Sequence, residues 1–171
     1  MSTCSVAGFF PWRRVKITYT NTVESSRLAI ARVEPDRRFR PICHVCGKPG
    51  AIHARTRKFI RDLSFGGFTM LLQVEHRKVR CSHCRRLRVE DLEFVDASAR
   101  ITKRLAAYAA QLCQAGLSVE AVARHLDLDP KTVKAIDKAA LQVEFGVLVQ
   151  RILRQHLCGI TASKATDNHD Q

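Results

Sequence analysis

Two pairs of cysteines stand at metal-binding spacing, Cys43-His44-Val45-Cys46 and Cys81-Ser82-His83-Cys84. A Cys-x-x-Cys turn aims two sulfurs of one short loop at a single ion, and two such turns complete the tetrahedral shell of structural Zn²⁺, at about 2.3 Å per bond. Structural zinc is therefore the expected cofactor, with Cys43, Cys46, Cys81 and Cys84 as ligands. Four protein ligands leave no open position, so hydrolytic zinc chemistry is not expected. The filled shell carries a formal charge of about −2, which Lys48, Arg80, Arg85 and Arg86 are placed in sequence to offset. A disulfide framework would need an export signal, and a thioredoxin-like redox pair would need only one knuckle. Gly47 suits a turn that points amides at sulfur where a side chain would crowd, and Arg85 holds the same place in the second knuckle. His44 and His83 are read as pointing outward. Cys4, Cys113 and Cys158 have no partner at metal spacing, and Cys113 reads as a buried thiol.

A second constellation suits DNA. Ser118 can cap a helix over Val119–Leu126, and Asp129-Pro130 is a strong start for the next, with Asp as N-cap and Pro at the first helical position. Val122, Ala123, Leu126, Leu128, Val133 and Ile136 fall where a helix-turn-helix needs its core, Ala123 being small enough to let the second helix cross closely. Asp127 replaces the usual turn glycine and tolerates left-handed backbone better than most residues. The outer face of the second helix then presents Lys131, Lys134, Ala135 and Lys138, with Thr132 near its start, as the expected base-reading residues in a major groove. Arg85, Arg86 and Arg88 are the expected phosphate anchors. Further basic clusters at Arg37, Arg38 and Arg40, at Arg55, Arg57, Lys58 and Arg61, and at Arg77, Lys78 and Arg80 are either phosphate contacts or solvated strand faces. Trp12 and the phenylalanines are read as core rather than base-stacking platforms.

The elements that must position these groups divide the chain. Residues 1–90 hold 19 Lys and Arg against 6 Asp and Glu, whereas residues 91–171 hold 10 of each, so the whole net charge of +13 lies in the first part. Such an imbalance points to a polyanionic partner, nucleic acid before an anionic membrane surface. A hydrophobic share of 46% is too high for a disordered basic tail, and no apolar run approaches the ~18 residues of a spanning helix. Met1–Pro11 has no basic residue ahead of its apolar patch, so export is not expected and a reducing cytosol is. Arg14–Thr20 and Leu28–Glu34 alternate as strands around a polar turn, and a second hairpin runs through "KFIRDLS", a Ser64–Gly67 turn and the alternating Phe68, Met70, Leu72 and Val74. Helical spacing begins at Ile101, in segments 101–115, 118–126, 130–141 and, as a fourth helix, 144–157, followed by a polar tail over 161–171 expected to be disordered. The fold class is α+β, a small β-rich zinc-binding module followed by a helix-turn-helix, in four parts: an N-terminal hairpin segment (1–42), the zinc module (43–96), the helix-turn-helix (97–142), and an amphipathic helix with its tail (143–171).

Taken in order, "RFRPICHVCG", "FIRDLSFGG", "VEHRKVRCSHCRR" and "HLDLDPKTVKAIDK" resemble the N-terminal half of ISL-three family bacterial insertion-sequence transposases, over about Trp12 to Gly146. The resemblance implies recognition of an element's terminal inverted repeats in double-stranded DNA, with cut-and-join chemistry done by three carboxylates and divalent metal further along. From residue 144 onward the acids are Glu144, Asp167 and Asp170, too few for a two-metal site drawn from separated elements of about 100 residues or more. The expectation is thus a transposase DNA-binding part that is not itself an enzyme, its frame interrupted or its short form deliberate. It would act in the bacterial cytoplasm on the nucleoid, without membrane contact, as a homodimer or a hetero-oligomer with full-length transposase. The alternatives are a short zinc-dependent helix-turn-helix transcription regulator and an adaptor using Phe145, Leu148, Val149, Ile152 and Leu153 as a partner-facing stripe.

Overall fold

Alternation of apolar and polar side chains builds a sheet whose two faces differ. In the computed structural model, which describes residues 10–163 and side chains as far as residue 146, β1 (Val15–Val23) and β2 (Leu28–Pro35) form an antiparallel hairpin closed by one 3-10 turn at Glu24–Ser26. The second hairpin, β3 (Ala51–Phe65) and β4 (Phe68–Cys81), is longer than its alternating core suggested, and it reverses at Gly66 and Gly67, both with positive φ. A short β5 (Arg86–Val89) returns along the end of β4.

The strands form one five-stranded sheet in the order β1-β2-β4-β3, with β5 on β4. The joint between the hairpins is the parallel pairing of Leu28–Val33 in β2 with Thr69–Val74 in β4. Residues 1–42 and 43–96, read separately in sequence, therefore share one sheet. That pairing brings Ala29, Ala31 and Val33 beside Met70, Leu72 and Val74 on one face, and Phe10, Leu92, Phe94 and Val95 pack into the same core. Trp12 stacks on Phe94 with ring centroids 4.0 Å apart. Asp62 is fully buried and accepts hydrogen bonds from Thr102 Oγ1 at 2.6 Å and from the Arg104 guanidinium, which ties β3 to the start of the helical region.

The chain divides into two compact units, Met1–Tyr108 and Ala109–Gln171. Helix α1 (Lys103–Gln114) runs across the division, followed by α2 (Val119–Leu126) and α3 (Pro130–Ser163). The second unit has its own small core of Ala109, Val122, Ala123 and Val133, flanked by Leu112, Val119, Leu126, Leu128 and Ile136. The expected separate fourth helix is corrected: α3 continues through residues 142–144 without a break. The physical reason is that Leu141–Phe145 contains no proline and no capping residue to stop a helix, and Gly146 alone costs only about 1 kcal/mol. The helix extends past Gly159 to Ser163, and the rest of the expected tail lies outside the described residues. Among the described residues no helix is long and apolar enough to cross a membrane.

Candidate metal centre and nucleic-acid interface

The first knuckle lies just before β3, and the second makes the turn between β4 and β5. Pairing of β4 with β5 and an isolated bridge from Cys43 to Glu90 bring the two together. The four sulfurs of Cys43, Cys46, Cys81 and Cys84 all lie within 4.8 Å of one another, with Cys46 to Cys81 at 3.5 Å and Cys43 to Cys84 at 4.0 Å. A regular tetrahedron with metal–sulfur bonds of about 2.3 Å places its sulfurs roughly 3.8 Å apart, so the donor set and its spacing fit a sulfur-seeking dication. Cys43 and Cys81 are buried, and the other two are partly so.

The backbone turns serve the sulfurs. The amide of Cys84 donates to Cys81 Sγ at 3.4 Å, and chiefly for that reason the Cys81 thiol is lowered to about 7. Burial works against a Cys43 thiolate, yet the amides of Cys46 and Val45 hold its pKa below the usual thiol value. Hydrogen bonding with the Cys46 sulfur, which favours the protonated thiol, with burial next, pushes Cys84 up to about 12. The amides thus favour thiolates at Cys43 and Cys81, while Cys84 is left holding its proton among the other sulfurs, and a bound dication would favour the thiolate at all four.

Gly47 occupies its turn for a different reason than the expected lack of space. Nothing lies within 4 Å of a Cβ built on Gly47, so crowding is not its reason; its φ is +67°, and Arg85, at the matching place in the second knuckle, has φ +52°. Both turns need left-handed backbone, which glycine adopts freely and arginine does not. Gly50 is the position where space decides, since a Cβ there would stand 2.9 Å from the Arg80 carbonyl oxygen. His44 is occupied outside the shell, its Nδ1 lying 2.9 Å from the Val89 carbonyl oxygen. His83 Nδ1 lies 3.5 Å from Lys48 Nζ. Cys113 is half-buried, and burial raises its pKa, whereas Cys4 and the Cys158 side chain lie outside what is described.

In the second unit Ser118 Oγ accepts from the amide of Ala121 at 3.2 Å, capping α2. Asp127 adopts φ +51° at the turn, and Asp129 Oδ1 accepts from the amide of Lys131 at 2.7 Å to open α3. Val122, Ala123 and Val133 are buried between the helices. Lys131, Lys134, Ala135 and Lys138 are exposed on α3, and Thr132 is half-buried.

Residues 90–141 match the helix-turn-helix domain of transposase family ISL3. A relative, the transposase for insertion sequence element IS1001 of Bordetella parapertussis, is 36% identical over 102 residues, or 59% of this chain. The matched stretch is of the ISL3 transposase type. The match spans 25% of that relative's length. No solved structure matches the chain. The matched segment contains α2, the Asp127 turn and the first part of α3, and a helix-turn-helix is a DNA-binding element.

The basic clusters separate once they are folded. Arg85 and Arg86 are exposed and, with Arg80 and Ser82, border a recess of about 440 Å³ beside the second knuckle. Arg88 is half-buried, and its Nε has no partner among the described residues. Arg77, grouped by sequence with the phosphate candidates, is corrected: it is buried and forms an ion pair with buried Glu90. Arg55 pairs with Glu75 at 2.9 Å. Arg38 pairs with Asp36, holding that carboxyl at about 2. The reading of all the phenylalanines as core is also corrected, because Phe39, Phe59, Phe65 and Phe145 are exposed. The missed signal was the period of two in Arg57, Phe59 and Arg61, which places Phe59 on the polar side of β3.

Proposed function

We propose that this chain recognises the terminal inverted repeats of an insertion element as the sequence-specific DNA-binding part of an ISL3-type transposase. The observation that carries the reading is the helix pair itself: a buried Val122, Ala123 and Val133 seam that leaves Lys131, Lys134, Ala135 and Lys138 facing outward from the first turns of α3. A helix so placed enters the major groove with its N-terminal residues against base edges, where Lys131, Lys134 and Lys138 reach guanine acceptors, and Thr132 and Ala135 make close contacts to flanking bases. Arg85, Arg86 and Arg88 anchor phosphates, adding salt-sensitive affinity without sequence information.

Zinc, held by Cys43, Cys46, Cys81 and Cys84, supplies folding energy and fixes the relation of the β4–β5 turn to the segment before β3. The residues described are assigned binding and no strand chemistry. The same proposal places the protein in the bacterial cytoplasm on the nucleoid. It includes self-association, or association with a longer transposase, through α3, where Val143 and Phe145 are exposed. Similarity to a transposase does not favour the transcription-regulator alternative.

The test is binding of the zinc-loaded chain to duplexes carrying the element ends and to scrambled duplexes of equal length. Lys134→Ala is expected to cut the preference for the element ends by about fivefold or more, the low end for loss of one base contact. Equal weakening on both duplexes would remove α3 from base reading.

A further inference from the structure

One face of the sheet is buried in the core; the other is covered where Arg77, Val79 and Cys81 are buried and partly exposed along the rest, where Ile30, Arg32, Leu71, Gln73 and Glu75 are half-buried. Across the four long strands of this second face runs a single register row: Tyr19 of β1 stands opposite Arg32 of β2, Arg32 beside Gln73 of β4, and Gln73 opposite Phe59 of β3. Tyr19 is 49% and Phe59 55% exposed. The Arg32 guanidinium lies 5.5 Å from the Tyr19 ring centroid, and its Nε donates to Gln73 Oε1 at 2.9 Å, so the planar groups between the two rings are already held in place. Arg57, next to Phe59 along this face, is exposed. The acids nearby have cationic neighbours, Glu75 being paired with Arg55 and Glu34 standing opposite Lys16 in the register.

We propose that this row is a binding surface for single-stranded DNA, with Tyr19 and Phe59 stacking on unpaired bases and Arg32 and Arg57 drawing the backbone. Flat aromatic rings set among cations on a partly exposed sheet face offer a π-surface to bases and a field to phosphates. Paired bases inside a duplex have their faces covered by their neighbours and offer no such partner. Tyr19 and Phe59 are three strand spacings apart, about 14 Å, so they take bases that are not adjacent in the strand. The occupant is a polyanion by charge, since residues 1–90 carry 19 Lys and Arg against 6 Asp and Glu. This row shares with the helix-turn-helix only the class of partner. It lies in the first unit and fails independently of the recognition helix.

Fluorescence anisotropy of the zinc-loaded full chain on a labelled oligo-dT of about twelve nucleotides, within the usual site size of such surfaces, is the direct test, with a duplex of equal length beside it. Each of Tyr19→Ala and Phe59→Ala is expected to weaken oligo-dT binding about fivefold or more, to leave duplex binding within about twofold, and to keep the thermal unfolding profile, while Tyr19→Phe and Phe59→Tyr retain wild-type affinity for oligo-dT. No binding of oligo-dT by the wild type, no effect of either alanine variant, or an equal loss on single-stranded and duplex DNA would each overturn the proposal.

Discussion

Removing the Arg77 side chain, as in Arg77→Met, should unfold the first unit far more readily while leaving DNA affinity per folded molecule unchanged. Arg77 and Glu90 are 5% and 1% exposed, and the guanidinium meets the carboxylate through both Nε and Nη2. The single variant leaves the Glu90 carboxylate buried without its cation, a loss of about 3–5 kcal/mol. For a unit near 100 residues that is a fall in Tm of at least about 12 °C. Glu90→Leu alone should cost a similar amount by stranding the guanidinium. The double variant Arg77→Met/Glu90→Leu replaces the pair by apolar side chains of similar volume and should recover to within about 1 kcal/mol of wild type or exceed it. Urea unfolding followed through the single tryptophan, Trp12, which stacks on Phe94 in the same core, reads this unit directly. A double variant as unstable as the sum of the singles would refute the reasoning. So would an Arg77→Met chain of full stability whose salt dependence of DNA binding drops by about 0.9, the mark of one lost phosphate contact.

Protein purified under reducing conditions should hold one zinc per chain by elemental analysis, and Cys46→Ser and Cys84→Ser should each lose it together with the folded first unit; retention of metal by either variant would exclude that cysteine as a ligand. Arg85→Gly should separate backbone from charge: relief of left-handed strain raises stability by a few tenths to about 1 kcal/mol after the added flexibility of the unfolded chain, while the salt slope of binding falls by about 0.9, and a variant less stable than wild type would show that the strain is absent. His76 is buried and, by that burial and then by Lys58, depressed to about 4 from 6.5. The unfolded chain therefore takes up its proton first, and stability present above about pH 6.5 is lost as pH falls towards 4. His76→Leu should accordingly gain on wild type in urea melts as pH drops through that window, and a pH-independent difference would show that His76 does not titrate on unfolding.

The chemistry-bearing residues were legible in the sequence because their signals are local. Cys-x-x-Cys spacing, Ser118 and Asp129 as caps, Pro130 at a helix start and the apolar period through Val122, Val133 and Ile136 all act within a few residues of the chain, where backbone geometry alone limits the outcomes. The hairpins β1–β2 and β3–β4 were legible for the same reason. Tertiary structure decided whatever depends on partners distant along the chain. The parallel joint of β2 with β4 comes from matching apolar faces about 40 residues apart, which no local period reports. Charge alone made Arg77 look like its neighbours Lys78 and Arg80; its burial against Glu90 follows from β5 folding back along β4. Gly47 and Arg85 differ as residue types yet share one backbone conformation, because the need arises from two loops converging on one centre. The row from Tyr19 to Phe59 exists only when four strands lie in register, since each member taken alone is an ordinary strand residue.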